Sequence, residues 1–434
     1  MKNSGIEWIG EIPDDWNLIR FKDICVNRKE IAGTQSSNFD RLALTLNGVI
    51  RRDKDDSDGL QPKEFDCYQI IHENDFIFKM IDLQNISTSR VGLSPYMGLV
   101  SPAYIRFSPR KEGQYNLFVY YFLMSLYYNC VYNNLGGNGV RSALNATDMG
   151  QFLIPFPSID TQIHIVSMIE NRCVAVDKLI ENQQAQIEKL KEYKQSVITE
   201  AVTKGLDPSV PMKPSGVEWI GEVPAKWIIQ PLKCLFSFGK GLPITKADLV
   251  SVGIKVISYG QIHAKYNKST TIDDKLYRYV SEKYLNTNND SIVHKGDFIF
   301  ADTSEDVEGS GDFIYIDKDD KIFAGYHSVI LKNRYEYKTN NKYLAYLFLS
   351  NNWKSQLQSR VSGIKVFSIS RGMLAKTSVL LPTLSEQQQI ADHLDKKCAE
   401  IDKLISVKQQ KIEKLNEYKK LLIYEYVTGK KEVG

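Results

Sequence analysis

The side chains of this chain best suited to chemistry are arginines, lysines and amides in loops, and the chemistry they suit is hydrogen bonding to base edges. An Arg-Arg-Asp-Lys segment spans residues 51–54, and a glycine loop spans 136–142. A second glycine loop spans 362–366, and a Tyr-Gly-Gln-Ile segment spans 259–262. Arginine forks match guanine O6 and N7, and amide side chains match adenine. The candidate DNA-binding residues are therefore Arg51, Arg52, Lys54, Asn138, Arg141, Gln261 and Lys365.

Two interpretations of the 51–54 segment stay open. Asp53, Asp55, Asp56 and Asp58 surround its basic residues. Such carboxylates either hold the arginine forks or accept a hydrogen bond from cytosine N4. The alternative is a solvated surface turn. In the two glycine loops function is favoured, because small residues let a backbone approach another polymer closely.

The sequence motifs of catalysis are missing. The chain has no G-x-x-x-x-G-K-[ST] phosphate loop, and no pair of histidines stands at metal-ligand spacing. Its six cysteines lie far apart. The Glu-x-Lys triplets at 192–194 and 417–419 fall inside predicted helices, which favours a structural role. The sequence therefore predicts no catalytic residue, no metal site and no cofactor of its own.

The chain is an internal repeat. SGIEWIGEIP at residues 4–13 returns as SGVEWIGEVP at 215–224, and QIEKLKEYK at 186–194 returns as KIEKLNEYK at 411–419. The sequence between these repeated segments diverges almost completely. Repeated flanking segments around divergent blocks predict one scaffold, present twice, that carries two different surfaces.

Residues 159–204 and 384–428 show the apolar heptad spacing and charged flanks of long coiled-coil helices. The first predicted seam comprises Cys173, Val176, Ile180, Ile187, Leu190 and Val197, and the second comprises Cys398, Ile401, Ile405, Ile412, Leu415 and Leu422. Polar residues interrupt both seams at equivalent positions, Gln183 with Lys408 and Lys194 with Lys419. Their stems cover apolar surface while their heads reach solvent, or they set the helix register; both interpretations stay open.

Each divergent block predicts an α+β globule. The predicted strands are Leu42–Leu46, Asp75–Met80 and Tyr104–Phe107 in the first block, and Lys255–Ser258, Asp297–Ala301, Phe313–Ile316 and Ser328–Lys332 in the second. One aromatic helix follows the strands in each block, at 116–133 and 341–358. The predicted domains are 1–158, the spacer helix 159–206, 207–383 and the C-terminal helix 384–434. The expected fold is two similar α+β domains separated by two long helices packed as an antiparallel coiled coil with pseudo-two-fold internal symmetry.

Composition places the chain among soluble globular proteins. Hydrophobic residues make up 43% and charged residues 25% of it, with a net charge of +3 that is concentrated in residues 207–383. No run of about 18 apolar residues and no secretory signal is present. These features predict a cytoplasmic protein, and the charge alone does not establish DNA binding.

The repeated E-W-I-G-E-[IV]-P opening, the paired blocks and the two helices together resemble the specificity subunit of type I restriction–modification enzymes, over essentially the whole chain. The resemblance implies a non-catalytic subunit that reads a split asymmetric DNA site with two target recognition domains. It also implies two methyltransferase subunits as partners, with restriction subunits in the full phage-defence complex. S-adenosylmethionine, ATP and Mg²⁺ are expected only on those partners, and no membrane is involved.

Two alternatives remain at this point. The chain could be the recognition part of a fused restriction–methylation enzyme, against which the missing catalytic motifs count. It could also be a coiled-coil adaptor that binds protein only. Binding to random duplexes with and without a methyltransferase partner separates an adaptor from a DNA-binding subunit.

Overall fold

The computed structural model describes residues 1–46, 48–54, 64–81, 89–110, 115–135, 143–267, 269–363 and 366–432. It divides into two compact units. Unit 1 comprises Met1–Gln184 with Gln409–Gly434, and unit 2 comprises Ala185–Lys408. Each unit therefore contains part of both long helices.

The elements that begin in the first repeat are short strands followed by helices. The strands are β1 Lys2–Asn3, β2 Glu11–Ile12, β3 Asn17–Arg20, β4 Cys25–Asn27, β5 Arg41–Thr45, β6 Gly48–Arg52, β7 Gln69–Ile71, β8 Phe76–Phe78, β9 Val91–Leu93, β10 Gly98–Val100, β11 Ile105–Pro109 and β12 Leu153–Phe156. The α-helices are α1 Phe21–Ile24, α2 Tyr115–Tyr128, α3 Val131–Leu135, α4 Ala146–Gly150 and α5 Ile159–Lys204.

The second repeat continues in the same manner. Its strands are β13 Met212–Pro214, β14 Glu222–Pro224, β15 Ile228–Pro231, β16 Phe236–Lys240, β17 Leu249–Val250, β18 Ile254–Ile257, β19 Arg278–Val280, β20 Ile292–Val293, β21 Phe298–Ala301, β22 Thr303–Ser304, β23 Phe313–Tyr315, β24 Ile322–Ala324, β25 Ser328–Asn333, β26 Phe367–Ser368 and β27 Ser378–Leu381. Its α-helices are α6 Tyr259–Ile262, α7 Tyr284–Thr287, α8 Asn341–Leu349, α9 Asn351–Gln358, α10 Arg371–Ala375 and α11 Leu384–Val427. Short 3-10 helices lie at Gly33–Asn38, Leu232–Cys234, Lys246–Asp248, Asp274–Leu276 and Asn289–Ser291.

The two units share one strand topology although their sequences diverge. The sheet of order β4-β11-β8-β9 in unit 1 corresponds to β16-β25-β21-β23 in unit 2. The sheet β6-β5-β10-β7 corresponds to β19-β18-β24-β20, which β17 extends at one edge. One pair of neighbouring strands runs parallel in the described part of each unit, β5 with β10 and β18 with β24. The predicted α+β class and internal repeat are confirmed.

Aromatic residues at equivalent places build the cores. Phe76 and Phe78 pack edge-on against Phe21 in unit 1, and Phe298 packs edge-on against Phe236 in unit 2. Such contacts add about 0.5–1.5 kcal/mol each beyond the area that they bury. The strands predicted around them lie within a few residues of the observed ones.

The aromatic helix that the sequence predicts as one piece is broken in both units, so that prediction was wrong. In unit 1 the break between α2 and α3 contains Cys130, whose φ is 55°. In unit 2 the extended residue Ser350 separates α8 from α9, and its hydroxyl accepts a hydrogen bond from the backbone N–H of Trp353. The break lets Phe348 and Trp353 both enter the core, with ring centroids 4.5 Å apart.

The long helices close each core. Ile198, Ala201 and Val202 of α5 pack with Ile220, Val223 and Trp227 in unit 2. Their equivalents in α11 pack in the same way in unit 1; these contacts join Ile423, Tyr426 and Val427 to Ile9, Ile12 and Trp16. At the start of each helix a buried glutamine donates to a proline carbonyl 2.9 Å away, Gln162 to Pro157 and Gln387 to Pro382.

One turn recurs in both units with different electrostatics. Asp75 and Asp297 each accept a hydrogen bond from the backbone N–H of a histidine three residues earlier, at 2.7 Å and 2.9 Å. Asp75 also accepts from Nε of Arg106 at 2.6 Å, and both of those side chains are 3% exposed. Burial raises the pKa of Asp297, and the described residues place no such ion pair beside it.

This difference predicts unequal responses of the two units to the same substitution. Asp75→Asn removes the carboxylate that faces Nε of the buried Arg106 and leaves that guanidinium the ion pair with the more exposed Glu30, 3.0 Å away. The free energy of unfolding of unit 1 should therefore fall by about 2 kcal/mol. Asp297→Asn keeps a hydrogen-bond acceptor and removes a charge that burial penalises. Because the pKa of Asp297 is raised in the folded state, its ionised form costs stability once the pH exceeds that pKa. Asp297→Asn should therefore change unit 2 by less than about 1 kcal/mol at neutral pH.

Amide hydrogen exchange followed by mass spectrometry measures the opening free energy of each unit separately in the full chain. Equal losses in the two units would show that the Asp75–Arg106 ion pair does not stabilise unit 1.

Candidate nucleic-acid interface and helix seam

The 51–54 segment lies at the edge of a sheet in unit 1. Arg51 and Arg52 end β6, the edge strand that pairs with β5. The Arg51 side chain is 61% exposed, its Nε lies 3.5 Å from a carboxylate oxygen of Asp40, and its guanidinium lies 4.6 Å from the centre of the Tyr96 ring. Lys54 donates to the carbonyl of Ser36 at 2.9 Å. Arg51 thus has an exposed guanidinium beside an aromatic ring and a carboxylate, and its role as a base contact stays a prediction.

Gln261 lies in the short helix α6 of unit 2. Its Oε1 accepts a hydrogen bond of 3.1 Å from the backbone N–H of Ser258, which caps that helix. An amide that binds adenine uses both its oxygen and its nitrogen. The oxygen of Gln261 is engaged locally, and its role as a base contact stays a prediction.

Asn138, Arg141 and Lys365 lie outside the described residues, and their predicted roles stay predictions. The surroundings of the second glycine loop are described. Next to that loop, β26 pairs with β22, and the backbone N–H of Ile369 donates to the carbonyl of Asp302 at 2.8 Å. These bonds connect the loop segment to the residues that follow β21.

The sequence did not point to a cluster of rings at the ends of the parallel strands β18 and β24. Tyr259 follows β18, and Tyr326 and His327 follow β24. Tyr259 lies 5.6 Å from each of the other two rings, in edge-on arrangements. The carboxyl ends of neighbouring parallel strands lie at the same edge of a sheet, so residues that follow the two strands are close in space. This proximity can be inferred only when the pairing of β18 with β24 is known.

A charged group lies beside this cluster. His263 contacts Asp312 at 3.2 Å through Nδ1 and the carbonyl of Thr303 at 2.8 Å through Nε2. The hydrogen bond with Asp312 raises the pKa of His263. Burial alone would raise the pKa of Asp312, but the contact with His263 and the Lys354 ammonium 2.5 Å away together lower it. Both nitrogens of His263 are occupied, which indicates a structural role.

The predicted seam residues are all buried or half-buried. Cys173, Val176, Ile187, Cys398, Ile401, Ile412 and Leu422 are buried, and Ile180, Leu190, Val197, Ile405 and Leu415 are half-buried. Burial raises the pKa of the Cys173 and Cys398 thiols, so these two cysteines remain uncharged at neutral pH and pack as small apolar groups.

Two seam lysines, one in each unit, form ion pairs between the long helices. In unit 2, Lys194 Nζ lies 2.7 Å from a carboxylate oxygen of Asp402, and Lys408 donates to Gln186. Residue numbers rise along one helix as they fall along the other, so the helices are antiparallel. In unit 1, Lys419 pairs with Asp177 at 2.7 Å. The two ion pairs are equivalent, because Lys419 lies 225 positions after Lys194 and Asp402 lies 225 positions after Asp177. This equivalence favours the register interpretation of these lysines.

Neither a membrane span nor a metal site emerges from the described part of the chain. No helix there is long and apolar enough to cross a membrane, and no group of three or more His, Cys, Asp or Glu residues there could hold a metal ion.

Comparison with known proteins agrees with this duplicated layout. The family model of the type I restriction modification DNA specificity domain matches the chain twice, at residues 13–192 and 224–417. The chain belongs to this family. It is a DNA sequence-specificity subunit of the type I restriction–modification class, and this class is generally non-catalytic. Neither the fused-enzyme alternative nor the adaptor alternative is supported.

Individual members resemble the chain along nearly its whole length. The type I restriction enzyme MjaVIII specificity subunit of Methanocaldococcus jannaschii is 23% identical over 424 residues, which cover 96% of this chain and 93% of that protein. A chain from a solved structure on complex assembly and conformational transition of the type I system has a TM-score of 0.64 at 13% identity, covering 96% of this chain and 99% of that one. The HsdS subunit from Thermoanaerobacter tengcongensis has a TM-score of 0.45 at 13% identity, with 96% and 98% covered. The structure with the TM-score of 0.64 supports the fold described above for this chain.

The ion pair between Lys194 and Asp402 predicts the effect of exchanging the two charges. Lys194→Glu puts a carboxylate against Asp402 and should lower the free energy of unfolding of unit 2 by about 1 kcal/mol, a modest figure because Asp402 is half exposed. Adding Asp402→Lys restores opposite charges and should recover most of the loss, as urea unfolding in a double-mutant cycle measures. Lys419→Glu is the matched control. Its partner is Asp177, so Asp402→Lys should not rescue it; rescue of both lysine variants would mean that the effect is general charge balance.

Proposed function

We propose that this specificity subunit reads a split asymmetric DNA site, with one half-site for each unit. The observation that carries the proposal is the contrast between a shared frame and divergent surfaces. The sheets correspond strand by strand, whereas the ends of the parallel strands differ. In unit 1 β5 turns into the hairpin strand that carries Arg51, and in unit 2 β18 leads into α6. Two similar frames with different surfaces suit two different half-sites.

The chain contributes recognition, and its partners contribute the chemistry. The proposed partners are duplex DNA, two methyltransferase subunits and, in the full complex, restriction subunits. S-adenosylmethionine, ATP and Mg²⁺ would be held by those subunits, and the complex would act in the cytoplasm.

The outer faces of the long helices support two copies of one partner. Leu179 and Leu404 occupy equivalent positions and are 49% and 51% exposed. Tyr193 and Tyr418 are also equivalent and are 56% and 43% exposed. Single exposed apolar side chains are common on protein surfaces, but exposed apolar residues that recur at equivalent positions of both helices suit a partner surface. Because the same residues recur in both helices, the two surfaces suit two identical subunits.

The half-site assignment predicts the outcome of a block exchange. Replacing residues 14–158 with the corresponding block of a related specificity subunit should change one half of the methylated motif and leave the other half unchanged. Sequencing of methylated bases in cells that also express the methyltransferase partner measures both halves. Cells that express the chain without that partner are the control, and they should show no methylated motif. A change in both halves, or in neither, contradicts the assignment.

The helix pair is proposed to set the distance between the half-sites. One heptad inserted into each helix, between the two ion pairs, keeps the seam in register and lengthens each helix by about 10 Å at about 1.5 Å per residue. The gap between half-sites should then grow by about three base pairs, because duplex rises about 3.4 Å per pair. The bases within each half should stay the same.

The matched control for this length experiment is an exchange of one heptad for another of equal length, which should leave the gap as it was. Full methylation at the original spacing after the double insertion would rule out the helices as the distance gauge.

A further inference from the structure

His327 adopts an unfavourable backbone conformation, and burial of its own side chain does not offset the cost in free energy. Its φ is 53°, in the left-handed region that residues other than glycine enter at a cost. Its imidazole is 57% exposed, so burial of the ring does not offset that cost. Strain of this kind at an exposed polar residue points to a use of the side chain outside the fold.

A carboxylate lies beside one edge of the imidazole. Nδ1 of His327 lies 3.3 Å from Oδ1 of Asp302, and this buried oxygen makes no hydrogen bond within the described residues. The backbone N–H of Asp302 donates to the carbonyl of His327 at 3.2 Å, which ties the two residues together. A carboxylate beside Nδ1 favours the ring form with its hydrogen on Nδ1. The lone pair of Nε2 is then available as an acceptor.

Two aromatic rings flank the imidazole. Tyr259 lies 5.6 Å and Tyr326 6.0 Å from it, at interplanar angles of 79° and 78°. Both tyrosines are half-buried. Rings packed edge-on limit the orientations of the imidazole, and a group with one fixed orientation discriminates between hydrogen-bonding partners better than a mobile one.

The cluster adjoins the loop that the sequence selected for close approach to a polymer. The carbonyl of Asp302 accepts from Ile369, just after β26, and β26 directly follows the glycine loop at 362–366. The unusual backbone conformation of His327 and the glycine-rich sequence at 362–366 are independent observations. The described residues that directly follow the glycine loop contact Asp302, the neighbour of His327.

Among its described residues, unit 1 has no such pair at the corresponding place. Met80 occupies the position of Asp302, because its carbonyl accepts from Leu144 as that of Asp302 accepts from Ile369. The segment Ser101–Tyr104 replaces Gly325–His327 between the equivalent strands. The pair formed by His327 and Asp302 is therefore one of the features by which unit 2 differs from unit 1.

We propose that His327 is a specificity-determining residue of unit 2, whose Nε2 accepts a hydrogen bond from the exocyclic amino group of adenine or cytosine in the major groove. Asp302 is its positioning residue. This inference rests on the proposed assignment of one half-site to each unit.

The test uses the full chain with its methyltransferase partner and sequences methylated bases genome-wide. His327→Gly removes the imidazole and tolerates the positive φ, so the fold should be retained. One adenine or cytosine position, in the half-site that the block exchange leaves unchanged, should relax, with discrimination falling about tenfold. His294→Ala removes an exposed histidine elsewhere in unit 2 and should leave the motif intact.

Asp302→Asn tests the positioning role separately. Its amide can donate to Nδ1, which allows a hydrogen on Nε2 and turns that nitrogen into a donor. Bases that present an acceptor at the same position should then become methylation targets. Loss of stability alone would not produce such a change of preference, and an unchanged preference would overturn the role of Asp302.

An unaltered motif in His327→Gly at wild-type methylation levels would overturn the proposal. Uniform loss at every site with the motif intact would also overturn it, because that pattern indicates a phosphate contact or a structural role. If the glycine variant does not accumulate, His327→Asn replaces it, since asparagine tolerates the left-handed region.

The two proposals fail in different ways. Relaxation within the half-site that the block exchange alters would refute the role of His327 and leave the half-site assignment standing. A block exchange that alters both halves refutes that assignment itself.

Discussion

The ammonium groups at the helix seam impose the constraint on which the rest of the chain depends. Lys194 is 15% exposed where an apolar side chain would otherwise sit, and a half-buried cation needs a carboxylate within reach. Asp402 meets that need in unit 2, and Asp177 does so for Lys419 in unit 1. A slip of either helix would separate lysine from aspartate. The register in turn determines which apolar residues at the helix ends enter the two cores.

The repeat made the frame predictable from sequence, because identical local patterns recur at fixed offsets. The heptads, the turn before β8 and β21, and most core strands depend on neighbours close in sequence. The break at Ser350 was not predictable in this way. Its helix continues the aromatic pattern on both sides, and the gain from interrupting it is a contact of Trp353 with a core assembled from distant strands.

The candidate interface was predictable only in part, for the same reason. Arg51 carries a signal in its own segment, and its side chain is exposed. Gln261 carries a similar signal, yet a backbone group three residues earlier uses its oxygen. His327 and Asp302 lie in different loops, after β24 and after β21, and no local sequence pattern in either segment predicts their contact. Recognition surfaces assembled across a sheet are thus harder to infer from sequence than the frame beneath them.

The closing of unit 1 by α11 has a consequence for synthesis. Ile423, Tyr426 and Val427 complete the core around Ile9, Ile12 and Trp16, and Tyr424 donates to the carbonyl of Trp8. Unit 2 is one continuous stretch, so all of its residues leave the ribosome before the end of α11 does. The unit that begins first is therefore completed last. Until α11 has been synthesised, the nascent chain exposes the apolar side chains of unit 1 that pack against this helix. Truncation within α11 therefore damages the unit whose other residues were synthesised first.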